Sequence, residues 1–148
     1  MKVNGQENTS AYPYTSGTLG QTGTCKADGS GKIKVSSYVQ VGQTNADITA
    51  AINLKPVSVA LDAAQAVFQN YKSGVVTSGC GTQLDHAVIA VGYGLDATTG
   101  LNYFLVRNSW GASWGDKGYI KIAQSSTGTA PGYCGINKAV YYVNAKTV

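Results

Sequence analysis

Long hydrophobic segments and clusters of charge are both missing from this sequence of 148 residues. The longest uninterrupted apolar run covers residues 87–91, far short of the roughly 18 residues that indicate a membrane span. Only 12% of the residues are charged, and the 11 lysines and arginines are spread singly along the chain. A dense basic run, which binding to phosphates requires, is therefore absent. We expect neither a membrane nor nucleic acid as a partner.

Metal-binding side chains are also scarce. Histidine occurs once, as His86, and cysteine three times, as Cys25, Cys80 and Cys134. These residues lack the paired short spacings of zinc sites, so we expect no metal and no cofactor. Three cysteines allow one disulfide and leave one thiol over. Residues 1–8 contain no apolar stretch of the kind that a signal peptide needs.

What the sequence does contain is typical of a turn-rich β protein, with 19 glycines and 10 tyrosines. Its length suits one domain with its own core. Residues 10–32 are rich in Ser, Thr, Gly and Pro and predict an irregular segment. Helices are predicted from Asn45, as N-cap, to Leu54 and over 63–71. Strands are predicted at 32–41, 57–61, 86–93, 102–108, 118–123 and 139–143. The predicted fold class is α+β, mainly an antiparallel sheet or partly closed barrel with a few short helices.

Two strand ends carry residues suited to catalysis. His86 stands where a loop gives way to an apolar strand, and Asn108 ends another apolar strand just before Trp110. A lone histidine is more often structural than catalytic, and a turn anchored by Trp110 and Trp114 is the simplest interpretation of the second feature. An imidazole that acts as a general base, however, must be oriented by a group accepting its other N–H. His86 and Asn108 can form such a pair if their strands are neighbours.

No residue of the sequence is a convincing nucleophile for this pair. Ser109 follows Asn108 directly, and strand alternation turns its side chain to the opposite face. Cys25 lies in a polar stretch with no sign of a helix N-terminus that would lower the pKa of its thiol. Cys80 and Cys134 are each followed by glycine and are better suited to a structural disulfide.

Several motifs, in order and over nearly the whole chain, resemble papain-family cysteine peptidases of the cathepsin L and plant type. Their number and order make the resemblance far more specific than any single pattern. The motifs are Tyr12-Pro13-Tyr14, Pro56-Val57-Ser58-Val59-Ala60, Cys80-Gly81, Leu84-Asp85-His86-Ala87-Val88, Asn108-Ser109-Trp110-Gly111, Trp114-Gly115, Gly118-Tyr119 and Cys134-Gly135-Ile136.

The resemblance assigns a role to each candidate residue. It implies that His86 is the catalytic imidazole and Asn108 its orienting amide, with Trp110 shielding and Ser109 supporting their hydrogen bond. It also implies a Cys80–Cys134 disulfide and an interdomain disulfide partner for Cys25. A small residue at the pocket floor suggests that the substrate presents an apolar side chain there. The implied pocket residues are Ala60, Leu84, Asp85, Ala87 and Ala139, the last being that floor.

The family's nucleophilic cysteine motif has no counterpart in this sequence. The resemblance therefore implies that residues 1–148 are the right-hand, C-terminal β-rich half of such a peptidase, inactive alone, with residues 1–4 as the tail of a helix. The expected partners are peptide or protein substrates and an N-terminal half that bears the cysteine. Two alternatives remain open: a non-catalytic pseudo-peptidase that serves as a binding or structural module, and a carbohydrate-binding β domain, suggested only by composition.

The family resemblance implies a lysosomal, vacuolar or secreted location. Asn8-Thr9-Ser10 matches the acceptor pattern for N-glycosylation, which agrees with passage through a secretory compartment, although such triplets also arise by chance.

Overall fold

Strands dominate the secondary structure of residues 5–147, the part of the chain that the computed structural model describes. Among these residues, no helix has the length and apolar character needed to cross a membrane. The expectation of a helix tail at residues 1–4 lies outside the described part. In chain order the elements are α1 (Ser16–Leu19), β1 (Ile33–Gln40), α2 (Asn45–Leu54), β2 (Val57–Leu61), α3 (Ala66–Gln69), β3 (Val75–Val76), β4 (His86–Leu95), β5 (Asn102–Arg107), β6 (Tyr119–Ala123), a 3-10 turn (Tyr133–Gly135) and β7 (Val140–Thr147).

The chain divides into two compact units. The larger, Val39–Tyr142, contains a sheet with the strand order β7-β2-β4-β5-β6-β3. All of its pairings are antiparallel except that of β3 with β6. The end strands of this order do not pair among the described residues, so the sheet is not closed into a barrel. This confirms the predicted α+β class and its mainly antiparallel sheet.

The smaller unit takes in the chain up to Tyr38 and the residues from Val143 onward. Its strand β1 and the C-terminal residues of β7 are joined by a hydrogen bond from Ser36 Oγ to the Asn144 carbonyl oxygen, 2.9 Å long. The short helix α1 lies within the segment predicted to be irregular.

Helix α2 ends at Leu54 as predicted, but it begins one residue earlier and has a different cap. Thr44, not Asn45, is the N-cap: its hydroxyl accepts the Asp47 N–H, and the Asp47 carboxylate accepts the Thr44 N–H. This reciprocal capping box satisfies two free donors of the first turn. Asn45 is the first helical residue, and its side-chain amide donates instead to the Ser125 carbonyl oxygen.

The helix predicted over 63–71 is much shorter, since α3 covers only Ala66–Gln69. The amide N–H groups of Ala63 and Ala64 are bound by carboxylates, and the chain therefore leaves β2 in a turn rather than a helix. The two-residue strand β3 that follows was not predicted, because two residues are too few to show a period.

The core fills one face of the sheet in the larger unit. Alternate residues of its central strands point inward, as the period of two in their sequences predicts. Burial of each such aliphatic or aromatic side chain stabilises the fold by about 1.5–3 kcal/mol. The antiparallel register ends with Leu61 opposite His86 and Ile89 opposite Arg107, which brings the start of β4 and the end of β5 to one edge of the sheet. The inward-pointing residues are Val57, Val59, Leu61, Val88, Ala90, Phe104 and Val106.

Candidate active site

The site begins with a hydrogen bond between the two predicted partners. His86 Nε2 lies 2.9 Å from Asn108 Oδ1. The same oxygen accepts the backbone N–H of Ser109 at 2.7 Å. A backbone N–H needs an acceptor, so this bond fixes which end of the Asn108 amide faces the imidazole. His86 must then donate through Nε2–H, and its Nδ1 keeps a lone pair when the ring is neutral.

The two members of the pair differ in exposure. Asn108 is only 7% exposed, whereas His86 is half-buried. Among the described residues His86 Nδ1 has no hydrogen-bond partner, and neither has the buried Asn108 Nδ2. The arrangement therefore offers an oriented imidazole with one nitrogen free to take or give a proton.

Aromatic rings surround the imidazole. The Trp110 indole lies across the His86 ring, with centroids 5.0 Å apart and the planes tilted by 33°. Behind it Trp114 donates from Nε1 to the Gln69 carbonyl oxygen at 3.0 Å. Trp110 lies against one face of the imidazole, and His86 is only half-buried, so part of the ring stays open.

Phe68 is the centre of this cluster, and sequence reasoning missed it. It is fully buried and contacts the His86 ring edge-on at 6.0 Å. Its ring also contacts Trp110 at 5.5 Å and Trp114 at 5.0 Å. Phe68 lies in the four-residue helix α3, which is too short to show the helical period from which a catalytic neighbour could be recognised.

Tyr71 closes the cluster on the far side of Trp114, with ring centroids 6.0 Å apart. Its hydroxyl donates to the Gly74 carbonyl oxygen at 2.6 Å. Burial raises the pKa of Tyr71, so the phenol stays neutral and keeps this donor.

The structure brings three of the predicted pocket residues together. Ala60 pairs with Ala87 across β2 and β4, and its N–H donates to the Ala139 carbonyl oxygen at 3.1 Å. Leu84 is 37% exposed, whereas the Asp85 carboxylate is engaged with the Ala63 N–H at 2.8 Å. Of the five predicted residues, Ala87 alone lines the neighbouring cavity of about 510 Å³, which is bounded by Ser58, Ala87, Val88, Ile89, Arg107, Asn108 and Ser109.

Cys80 and Cys134 form a disulfide that spans 54 positions of the sequence. Cys25 is exposed, in an irregular segment of the smaller unit, and has no disulfide partner among residues 5–147. Those residues also contain no group of three or more His, Cys, Asp or Glu side chains that could bind a metal ion.

Comparison with known proteins assigns the chain to a family. The model of the papain family of cysteine proteases matches residues 1–144. Papaya proteinase 4 of Carica papaya is 42% identical over 94% of this chain, and chymopapain of the same species is 41% identical over 94%. The bromelain protease of Ananas comosus, solved in complex with the E64 inhibitor, superposes with a TM-score of 0.83 at 39% identity over 95% of this chain.

The match covers only part of each relative. It accounts for 39% of papaya proteinase 4, 38% of chymopapain and 63% of the solved bromelain chain. The relatives are plant proteases, in agreement with the plant-type resemblance of the motifs. The family model and the antiparallel fold agree, and the chain belongs to the papain family of cysteine proteases.

Proposed function

We propose that this chain supplies the general acid/base and its orienting amide for peptide-bond hydrolysis by a cysteine thiolate on another polypeptide segment. The observation that carries the proposal is the His86–Asn108 hydrogen bond through Nε2, which leaves Nδ1 free. None of the three cysteines of the chain suits the role of nucleophile. Cys80 and Cys134 are joined to each other, and Cys25 stands at no helix N-terminus that would favour its thiolate.

The chemistry follows from the free nitrogen. His86 Nδ1 takes the thiol proton, and the resulting thiolate attacks the peptide carbonyl carbon. The imidazolium returns its proton to the leaving amine, which gives an acyl-enzyme thioester. His86 then takes a proton from water, whose oxygen attacks the thioester, and the proton returns to the departing thiolate. Asn108 keeps the ring in one orientation through both proton transfers.

Exposed apolar surface supports a partner segment at this edge of the larger unit. Trp110 and Leu84 are 43% and 37% exposed, and Ile89 on the outward face of β4 is 41% exposed. The cavity of about 510 Å³ continues from Ile89 to Asn108. A second wall over these residues would exclude water from the imidazole, which strengthens the electrostatic interactions of the reaction. Exposed Cys25 offers a thiol for a disulfide with such a segment.

Complementation tests the proposal. The chain is refolded with the part of the bromelain chain that lies outside the matched 63%, and hydrolysis of a dipeptidyl amide with Leu or Phe before the final residue is followed. We expect turnover by the complex and none by the isolated chain, because the chain lacks the attacking thiolate. His86→Ala should reduce turnover by at least about 100-fold, and Cys25→Ser reports whether a disulfide joins the two segments.

Turnover by the purified chain alone would contradict the proposal. Suppose that native mass spectrometry shows the complex and that the complex binds the peptide without cleaving it. This result would favour the non-catalytic module.

The small side chains at Ala60, Ala87 and Ala139 support a preference for an apolar substrate side chain. A complex that prefers a substrate with Asp or Arg, instead of Leu or Phe, before the final residue would contradict this preference.

We also propose a secretory route, ending outside the cell or in a lysosomal or vacuolar compartment. A disulfide is typical of proteins that fold in oxidising compartments. Asn8, Thr9 and Ser10 are exposed at a turn, where the Asn8 carbonyl oxygen accepts the Ala11 N–H at 3.0 Å. When a eukaryotic host secretes the chain, we expect a glycan on Asn8, seen as a mass increase that peptide N-glycosidase removes. Asn8→Gln and Ser10→Ala should each abolish the increase, and an unmodified secreted wild type would contradict the prediction.

A further inference from the structure

A buried carboxylate lies beside the loop that leads to His86. Asp62 follows β2 directly and is only 3% exposed. Its Oδ2 accepts the Gln83 N–H at 3.2 Å and its Oδ1 accepts the Ala64 N–H at 3.3 Å. Asp62 has no cation partner among the described residues, whose one ion pair joins Lys121 and Asp96. A buried carboxylate is costly unless hydrogen bonds compensate it, and here peptide N–H groups do so.

A second carboxylate, that of Asp85, makes the reciprocal contact from the loop to the segment after β2. Asp85 Oδ1 accepts the Ala63 N–H at 2.8 Å, and the Asp85 N–H donates to the Leu61 carbonyl oxygen at 3.0 Å. The segment after β2 and the loop before β4 thus each bind a backbone N–H of the other. These bonds meet where Leu61 pairs with His86, the last pair of the β2–β4 ladder.

We propose that Asp62 is a positioning residue for His86. Its carboxylate holds the Gln83 N–H, three residues before the imidazole, so that the loop enters β4 with the ring within hydrogen-bond distance of Asn108. The inference rests on the proposed function only in treating His86 as the acid/base. Other anchors hold the loop further upstream, through the disulfide at Cys80 and the bond from Lys138 Nζ to the Thr82 carbonyl oxygen.

Gly81 shows how tightly the carboxylate is enclosed. A Cβ at this position would collide with Asp62 Oδ2. Gly81→Ala therefore displaces the carboxylate without removing its charge, whereas Asp62→Asn removes the charge and one of two acceptor oxygens. The two variants therefore separate the effect of the position of the Asp62 carboxylate from the effect of its charge. Two other charged side chains, Asp85 and Arg107, are adjacent in sequence to His86 and Asn108, so charge near the site does not come from Asp62 alone.

The single histidine makes the test direct, because every imidazole signal belongs to His86. Nitrogen-15 NMR of the chain should show the neutral ring of the wild type as the Nε2–H tautomer. In Asp62→Asn and in Gly81→Ala we expect a mixture of tautomers and roughly tenfold faster hydrogen exchange of the Gln83 amide, since its N–H loses the buried carboxylate that accepts it. If Asp62→Asn does not fold, Gly81→Ala carries the test.

Asp47→Asn is the matched control, because Asp47 is a carboxylate that also accepts a backbone N–H, at the start of α2. It should lower the unfolding temperature and leave the His86 tautomer unchanged. If both site variants lower the unfolding temperature but keep the wild-type tautomer and Gln83 exchange rate, Asp62 is structural only and the inference is wrong. The measurement needs no turnover, so its outcome is independent of the peptidase proposal.

Discussion

Phe68→Ala is expected to lower the free energy of unfolding by about 3–5 kcal/mol, the range for phenylalanine truncated in a core. Phe68 is fully buried, and its ring contacts three other rings, those of His86, Trp110 and Trp114. Truncation therefore leaves a cavity directly beneath the imidazole. Urea unfolding followed by circular dichroism measures the loss, with Phe68→Leu as a milder variant that keeps most of the volume.

A second core phenylalanine supplies the control for this prediction. Phe104 is equally buried, but it lies in β5 and contacts none of the aromatic rings of the site. Phe104→Ala should destabilise by a similar amount and leave the folded-state fluorescence of the two tryptophans unchanged. Phe68→Ala should shift that emission, because the Phe68 ring contacts both indoles. Equal fluorescence in both variants would show that Phe68 fills volume without ordering the indoles.

The central pair of the site could be predicted because it depends on strand ends. A catalytic imidazole requires an oriented acceptor, and the sequence offered one polar amide, Asn108, at the end of an apolar strand. The pair forms because β4 and β5 are neighbours, and their register brings this amide beside His86. Two apolar strands of adequate length, separated by a short turn-forming segment, are the condition under which such a pairing can be expected.

The supporting residues could not be predicted, because their roles arise from tertiary contact. Asp62 and Ala63 look like the start of a helix, and the N–H groups that the carboxylates bind are invisible in a linear pattern. Thr44 and Asn45 are both good N-caps, and only the Asp47 contact selects Thr44. Phe68 stands in four residues of helix, too few for any periodicity.

Removal of the Cys80–Cys134 disulfide should lower the free energy of unfolding by about 4 kcal/mol, the chain-entropy value for a loop of this size. The bond closes a separation of 54 residues. The double variant Cys80→Ala, Cys134→Ala avoids placing a hydroxyl where Cys134 is 2% exposed. Cys25→Ala should leave the stability unchanged, because Cys25 is exposed and unpaired among residues 5–147.

The location of this disulfide makes its loss informative about the site. It joins the start of the loop before His86 to the 3-10 turn that precedes β7. At temperatures where the double variant is still folded, it should keep the His86–Asn108 hydrogen bond. The Asp62 carboxylate still binds the Gln83 N–H of the loop, and the Asp85 carboxylate of the loop still binds the Ala63 N–H after β2. If the folded double variant shows a mixture of His86 tautomers by nitrogen-15 NMR, then the disulfide, rather than the carboxylates, orders the ring.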